Sequence, residues 1–69
     1  MRGVDEMIAE LDKAGWNADL IRCYGPGDWR AAADKKLRSG RRMSCEGYGT
    51  TVYEAVKDLC LECLGEGWE

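Results

Sequence analysis

The four cysteines offer the widest choice of chemistry in this chain, because a thiolate can bind a metal, attack a substrate or form a disulfide. Cys60 and Cys63 form a CxxC pair, whereas Cys23 and Cys45 stand alone. A zinc knuckle normally has a second ligand pair at similar spacing, and the chain contains no histidine. The residue types favour cysteines that act as small buried hydrophobic side chains. They predict no metal and no cofactor.

The redox compartment decides whether these cysteines pair. An even number of cysteines in a short chain could form two disulfides. The first six residues include two acids where a secretory signal needs an apolar stretch. The interpretation is a cytoplasmic protein, in which free thiols are usual. Apolar runs of only a few residues predict no membrane span.

No group of side chains predicts catalysis. A thioredoxin-like CxxC opens a helix, whereas Cys60 and Cys63 fall at the C-terminal end of a predicted helix, where the helix dipole raises a thiol pKa. The lack of histidine removes the commonest general base. Acidic pairs such as Asp58 and Glu62 are expected to face solvent, outside the dry cleft that shifts a carboxyl pKa. The prediction is a protein that is not an enzyme.

A basic hairpin is the first candidate binding surface. Five of the ten basic residues lie within eight positions, and the other 61 residues hold all thirteen acids and five bases, a net charge of −8. Five like charges repel one another, so a partner that neutralises them is favoured, and phosphates are the usual partner. The alternative is a solvated loop balanced by the acidic body. The five residues are Lys35, Lys36, Arg38, Arg41 and Arg42.

An acidic stripe is the second candidate surface. Glu54, Asp58 and Glu62 fall at i, i+4 and i+8 of a predicted helix, opposite its apolar side. Together with Tyr53 they could face a basic surface on another protein, although such a stripe is more often the wet side of a helix. Tyrosines 24, 48 and 53 could also cluster at one end of the sheet, available for stacking or protein contact.

Periodicity predicts the elements that position these residues. Apolar spacing indicates a helix from about Val4 to Ala14 that Gly15 ends. Thr50 or Thr51 is expected to cap a second helix, with Glu54 at the N3 position from Thr51, and Gly65 and Gly67 are expected to end it. Alternation predicts strands over 16–24, 29–34 and 42–47. Turns are expected at Gly25-Pro26-Gly27, Ser39-Gly40 and Gly47-Tyr48-Gly49. The fold class is α+β, in the order α-β-β-β-α, as one domain over residues 1–69.

The alternation also predicts which strand residues face the core. Two amphipathic helices are expected to cover one face of a three-stranded antiparallel sheet and leave the other face wet. A bulge near Ile21 is expected to switch the face of the first strand. The predicted inward residues are Trp16, Ala18 and Leu20 in the first strand, Trp29, Ala31 and Ala33 in the second, and Met43, Cys45 and Gly47 in the third.

Two glycine-containing segments make the chain resemble the double-stranded RNA-binding domain: Gly25-Pro26-Gly27-Asp28-Trp29 between the first strands and Gly47-Tyr48-Gly49-Thr50-Thr51 before an alanine-bearing helix. The resemblance covers nearly the whole chain as topology and implies the α-β-β-β-α fold. The second helix of that family opens with a lysine cluster that grips phosphates. Residues 51–56 of this chain contain no lysine and one acid, so the RNA-binding residues do not carry over.

The pattern Trp29-Arg30-Ala31, Gly47-Tyr48-Gly49-Thr50 and Glu54-Ala55-Val56-Lys57-Asp58-Leu59 also resembles small proteins of phages and prophages, which include anti-CRISPR inhibitors of host defence. This resemblance implies an interaction protein that binds a host protein or nucleoprotein complex, with the acidic stripe as the protein-binding surface. Nucleic-acid binding by the basic hairpin is the alternative function. A structural role in a phage particle is the third.

Overall fold

The helices and strands follow the predicted order. The computed structural model describes residues 2–68. Its elements are α1 (Val4–Lys13), β1 (Asn17–Gly25), β2 (Asp28–Lys36), β3 (Arg42–Gly49), α2 (Val52–Leu64) and a final 3-10 turn at Glu66–Trp68. The strands form an antiparallel sheet in the order β1-β2-β3, and both helices contact the sheet and each other. The α+β class and the α-β-β-β-α order are therefore confirmed.

The core lies between the helices and one face of the sheet. Alternate residues of β2 are buried, so the helices cover the face that carries Ala31 and Ala33. Full burial of a large apolar side chain contributes about 1.5–3 kcal/mol. Trp16 is buried in this layer, as predicted. The buried hydrophobic residues are Met7, Leu11, Trp16, Ala31, Ala33, Ala55, Val56, Leu59 and Cys60.

Two bulges in β1 change which of its side chains reach the core. β1 has one residue more than β2 between Asn17 and Leu20, and one more between Cys23 and Gly25. The first bulge precedes Leu20, whereas the sequence predicted a bulge near Ile21. Because an extra residue reverses the parity of a strand, Ile21 packs against the core while Leu20 is 40% exposed on the other face. The predicted inward position of Leu20 is wrong.

The two hairpin connections use glycines with positive φ. Pro26 and Gly27 form a two-residue turn, and Gly27 has a φ of +68°, which is the combination a type II turn requires. The second connection covers residues 37–41. The Leu37 N–H donates to the Arg41 carbonyl at 2.7 Å, and Gly40 has a φ of +88°. The loop brings the ends of β2 and β3 together but leaves Met43, on the helix-side face by register, 46% exposed.

α2 lies directly against β3 at two glycines. A Cβ atom on Gly47 would stand 2.3 Å from the backbone nitrogen of Leu59 and 2.4 Å from the carbonyl oxygen of Ala55. A Cβ atom on Gly49 would stand 2.5 Å from the Ala55 nitrogen. Both glycines lie inside β3, so the interpretation of this segment as a turn is wrong. Their role is to let a helix backbone touch a strand backbone.

Candidate functional site

The face of the sheet that the helices leave open carries a row of arginine and tyrosine side chains. Arg22 on β1 lies opposite Arg30 on β2, which in turn lies opposite Tyr48 on β3. Tyr24 is 55% exposed and Tyr48 is 52% exposed. We refer to Arg22, Tyr24, Arg30 and Tyr48 as the arginine–tyrosine cluster. It occupies the end of the open face nearest the Pro26-Gly27 turn.

Arg30 holds this cluster together. Its guanidinium carbon lies 4.4 Å from the ring centroid of Tyr24 and 5.5 Å from that of Tyr48, which is cation–π distance. Its Nε atom lies 3.4 Å from a carboxylate oxygen of Asp28. The hydrogen bond to Asp28 raises the pKa of Arg30, which favours its charged form. Two tyrosine rings are therefore held on a fixed positive charge.

Arg22 differs from Arg30 because its side chain makes no ion pair or hydrogen bond with residues 2–68. Like charges directly opposite each other on neighbouring strands are destabilising. The neighbouring residues on the open face, two positions along each strand away from the Pro26-Gly27 turn, include one acid. This acid is Glu46, which accepts a hydrogen bond from the Tyr48 hydroxyl. That hydrogen bond raises the pKa of Tyr48. An anion that contacts Arg22 and Arg30 would relieve their mutual repulsion.

A shallow depression adjoins the cluster on the same face. The small side chain of Ala32 forms its floor, and the depression continues along the strands toward Asp34 and Ser44. Its first part is lined by Leu20, Arg22, Tyr24, Arg30 and Glu46. The open face therefore has small apolar side chains next to two cations and the Tyr24 ring, with the carboxylates of Asp19, Asp34 and Glu46 along the same depression.

The basic hairpin is divided between the two faces of the sheet. The Nζ atom of Lys35 lies 5.8 Å from the ring centroid of Trp16, so Lys35 lies on the helix side. Lys36 and Arg42 pair at the open face, where the Nη1 atom of Arg42 lies 3.5 Å from Asp34. Arg38 and Arg41 are exposed in the loop. The structure thus places Lys36 and Arg42 on the open face, leaves Arg38 and Arg41 in the adjoining loop, and separates Lys35 on the helix side.

Two carboxylates of the acidic stripe already support the fold. The Glu54 carboxylate accepts a hydrogen bond from the Thr50 hydroxyl at 3.0 Å. The Thr51 side chain accepts from the Glu54 N–H at 3.2 Å, so the predicted helix cap is confirmed. Asp58 accepts from the backbone N–H of Tyr48 at 3.0 Å, which covers a donor on an edge strand. Glu62 is exposed and is the cleanest position at which to test the stripe.

The tyrosines do not gather into one group. Tyr24 and Tyr48 flank Arg30 on the open face. Tyr53 is half-buried on α2 and packs against the core on the helix side. Of the three tyrosines that were predicted to cluster, Tyr24 and Tyr48 do so and Tyr53 does not. Tyr53 contributes its ring to the junction of α2 with the core.

The cysteines of the CxxC pair lie in the core side of α2. Cys60 is fully buried, and burial raises its pKa to about 11. Burial also raises the pKa of Cys63 to about 12, with a further contribution from the neighbouring Cys45 thiol. Cys23 is exposed on β1. The thiolate is the reactive form, so the pair is chemically protected, and Cys23 is the most exposed of the four thiols.

Cys23 is expected to react with a maleimide well before Cys60 or Cys63 at pH 7.5. Fewer than about one in a thousand Cys60 thiols would be ionised at that pH, given its pKa of about 11. Intact-mass spectrometry of the folded protein over time should show one rapid adduct, which the Cys23→Ser variant should lack. Equally rapid labelling of a CxxC cysteine would contradict the buried position of this pair.

The two layers of the molecule carry opposite net charges. The sheet and its loops, residues 15–51, hold seven basic and four acidic residues, a net charge of +3. The segments on either side, which contain α1 and α2, hold three basic and nine acidic residues, a net charge of −6. The positive layer is therefore wider than the basic hairpin alone, because it includes Arg22 and Arg30. These two residues were not among the predicted site residues.

No known protein indicates a function for these surfaces. The chain matches no protein-family model, no curated protein and no solved structure. Within residues 2–68, no helix has the length and apolar character needed to cross a bilayer. Three surfaces remain as candidates: the acidic helix layer, the basic hairpin and the arginine–tyrosine cluster.

Proposed function

We propose that this chain is a small binding protein, without a reaction of its own, that covers a basic surface on a host protein or nucleoprotein complex. The observation that most supports this is the net charge of −6 in the segments that contain the helices, against +3 in the sheet layer. Surfaces of opposite potential select each other and reject like-charged partners. The exposed acids of these segments are Asp5, Glu6, Asp12, Glu54, Glu62 and Glu66.

In biological terms, the proposal is a phage-encoded inhibitor of a host defence complex, of the anti-CRISPR kind, that acts in the host cytoplasm. RNA-guided defence complexes hold nucleic acid in positively charged channels. A small acidic protein can occupy such a channel in place of the nucleic acid. The resemblance of the chain to small phage proteins and its charged helix layer both support this role.

The proposal is tested by reversing one exposed charge. Glu62→Lys should weaken inhibition at least about tenfold, because it places a cation against a basic partner surface. The matched control is Asp19→Lys, which makes the same charge change at an exposed position of β1. The measurement is survival of a targeted plasmid in cells with an active RNA-guided defence system, alongside recovery of the complex on the immobilised protein.

Glu54 and Asp58 need gentler substitutions because both support the fold. Glu54→Gln keeps an acceptor for the Thr50 hydroxyl while removing the charge. If Glu62→Lys and Glu54→Gln both inhibit like the wild-type protein, the acidic stripe is not the binding surface. If the wild-type protein gives no protection and recovers no complex, the inhibitor role is wrong.

A second candidate function is nucleic-acid binding by the basic hairpin. One observation favours it: Arg38 and Arg41 are exposed in the loop and make no ion pair within the described part of the chain. Their replacement by glutamine should reduce the salt dependence of duplex binding, by about 0.9 in the log–log slope for each phosphate that the variant no longer neutralises. Absence of duplex binding at low salt would contradict this second function.

A further inference from the structure

We propose that the open face of the sheet binds single-stranded nucleic acid, with the arginine–tyrosine cluster at its centre. This inference deepens the second candidate function, on which it rests for the phosphate contacts of the hairpin. It adds a stacking site that the hairpin does not contain. The occupant is identified by its chemistry: a chain of phosphates that carries unpaired aromatic bases.

Charge on this face favours a polyanion. Two of its acids are paired with arginines, since Asp28 contacts Arg30 and Asp34 contacts Arg42. The other two accept hydrogen bonds from neutral donors, Glu46 from Tyr48 and Asp19 from Asn17. Four cations on the face and in the adjoining loop have no such partner among residues 2–68. They are Arg22, Lys36, Arg38 and Arg41. With the paired residues included, six cations and four acids leave a net charge of +2 for an incoming polyanion.

The cations form a track along the strands. Arg22 and Arg30 lie in a row at one end of the face, and Lys36 lies opposite Arg42 at the other end. Arg30 and Lys36 are six residues apart on β2, which corresponds to about 20 Å at the usual rise of a strand. The loop arginines continue the track beyond Arg42. A linear polyanion laid along β2 meets cations at both ends.

The aromatic rings offer stacking surfaces for bases, which a row of cations alone does not provide. Tyr24 and Tyr48 are fixed by the guanidinium of Arg30, and each is about half exposed. Bases stack on such rings with little sequence preference because every base has a π face. The depression above Ala32, beside Leu20, provides apolar contact next to the rings. The order of groups along the face is therefore cation, ring, apolar floor and cation.

These rings distinguish a single strand from the other polyanions. Bases in a duplex are stacked on one another, so they cannot lie on Tyr24 or Tyr48. An acidic polypeptide could pair with the arginines but has no aromatic face at each repeat. The two exposed tyrosines therefore raise affinity for a single strand only.

The test is fluorescence anisotropy at low salt with a labelled short oligothymidine, the matching oligouridine and a duplex of the same length. The wild-type protein should bind at least one single strand about tenfold or more tightly than the duplex. Tyr24→Leu and Tyr48→Leu should each weaken single-strand binding by about tenfold, whereas the Phe variants keep the ring and should bind like the wild type. Circular dichroism of each variant confirms that it is folded.

Arg22→Gln separates this face from the hairpin. It should lower the salt slope for a single strand by about 0.7 and leave duplex binding unchanged, because Arg22 lies at the end of the face away from the loop. Removal of Arg38 and Arg41 should weaken binding of both ligands.

Three results would overturn the inference. Equal affinity for single strands and duplex, with no effect of the leucine variants, would leave the hairpin as the only nucleic-acid site. No binding of any nucleic acid at low salt would remove both this inference and the second candidate function. Displacement of the oligothymidine by polyglutamate at equal concentration would assign the face to an acidic protein.

Discussion

The Gly47→Ala variant is expected to melt at least about 12 °C below the wild-type protein, a loss of about 3 kcal/mol or more in the free energy of unfolding. The added methyl group would lie 2.3 Å from the Leu59 nitrogen and 2.4 Å from the Ala55 oxygen. Both atoms belong to the backbone of α2, so no side-chain rotation relieves the clash. α2 must move away from β3, and it carries Leu59 and Val56 out of the core. Thermal denaturation followed by circular dichroism measures this.

Gly25→Ala is the matched control. Gly25 also lies in a strand, but a Cβ atom there has nothing within 4 Å and the residue has no positive φ. Its melting temperature should stay within about 4 °C of the wild-type value, since surface changes away from special features alter stability by about 0.5 kcal/mol. A Gly47→Ala variant that melts with the control would show that α2 does not touch the β3 backbone.

Leu11→Ala is expected to lower the free energy of unfolding by about 2–5 kcal/mol. Leu11 is fully buried on α1 and belongs to the same cluster as Met7 and Leu59. Its truncation removes apolar contact and leaves a cavity that α1 can close only in part. Since a domain of this size has a total stability of several kcal/mol, the variant should be partly unfolded at 37 °C. Urea denaturation at 25 °C gives the value.

Leu20→Ala makes the same change in side chain on the open face. Leu20 is 40% exposed, so its truncation should cost less than about 1 kcal/mol. The comparison also tests the first bulge of β1, because a regular strand would place Leu20 with the core. Equal losses for Leu11→Ala and Leu20→Ala would contradict the register of β1.

The sequence was sufficient to predict the elements because each has a local signal. The apolar spacing of α1, the cap at Thr51 and the turn at Pro26-Gly27 depend on residues a few positions apart. The inward alternation of Ala31 and Ala33 in β2 followed from the same local reasoning. Local patterns of this kind do not depend on tertiary contacts, so they can be predicted without the structure.

The arginine–tyrosine cluster could not be predicted in the same way because it depends on the bulges. A regular hairpin around Pro26-Gly27 would pair Arg30 with Cys23 and place Arg22 opposite Ala31. The extra residue between Cys23 and Gly25 shifts this register by one, so that Arg22 lies opposite Arg30. The sequence contains no local mark of that bulge.

The role of Gly47 and Gly49 was missed for a different physical reason. Glycine serves tight turns and close backbone contacts equally well, and only the position of α2 separates the two uses. The same limit applied to Asp58. Its helical spacing predicted an exposed acid, whereas its carboxylate accepts a hydrogen bond from the edge of β3. Both cases depend on how a helix lies on a strand ten residues away in sequence.

Because the two layers carry opposite net charges, the molecule has an electric dipole moment that points from the helix layer to the sheet layer. A charged partner turns such a dipole as it approaches, so that the face of opposite sign arrives first. The rate of association should therefore fall steeply with added salt, while the rate of dissociation, set by contacts at short range, should change much less. An acidic partner and a basic partner would meet opposite sides of the same small protein, without any change in its shape.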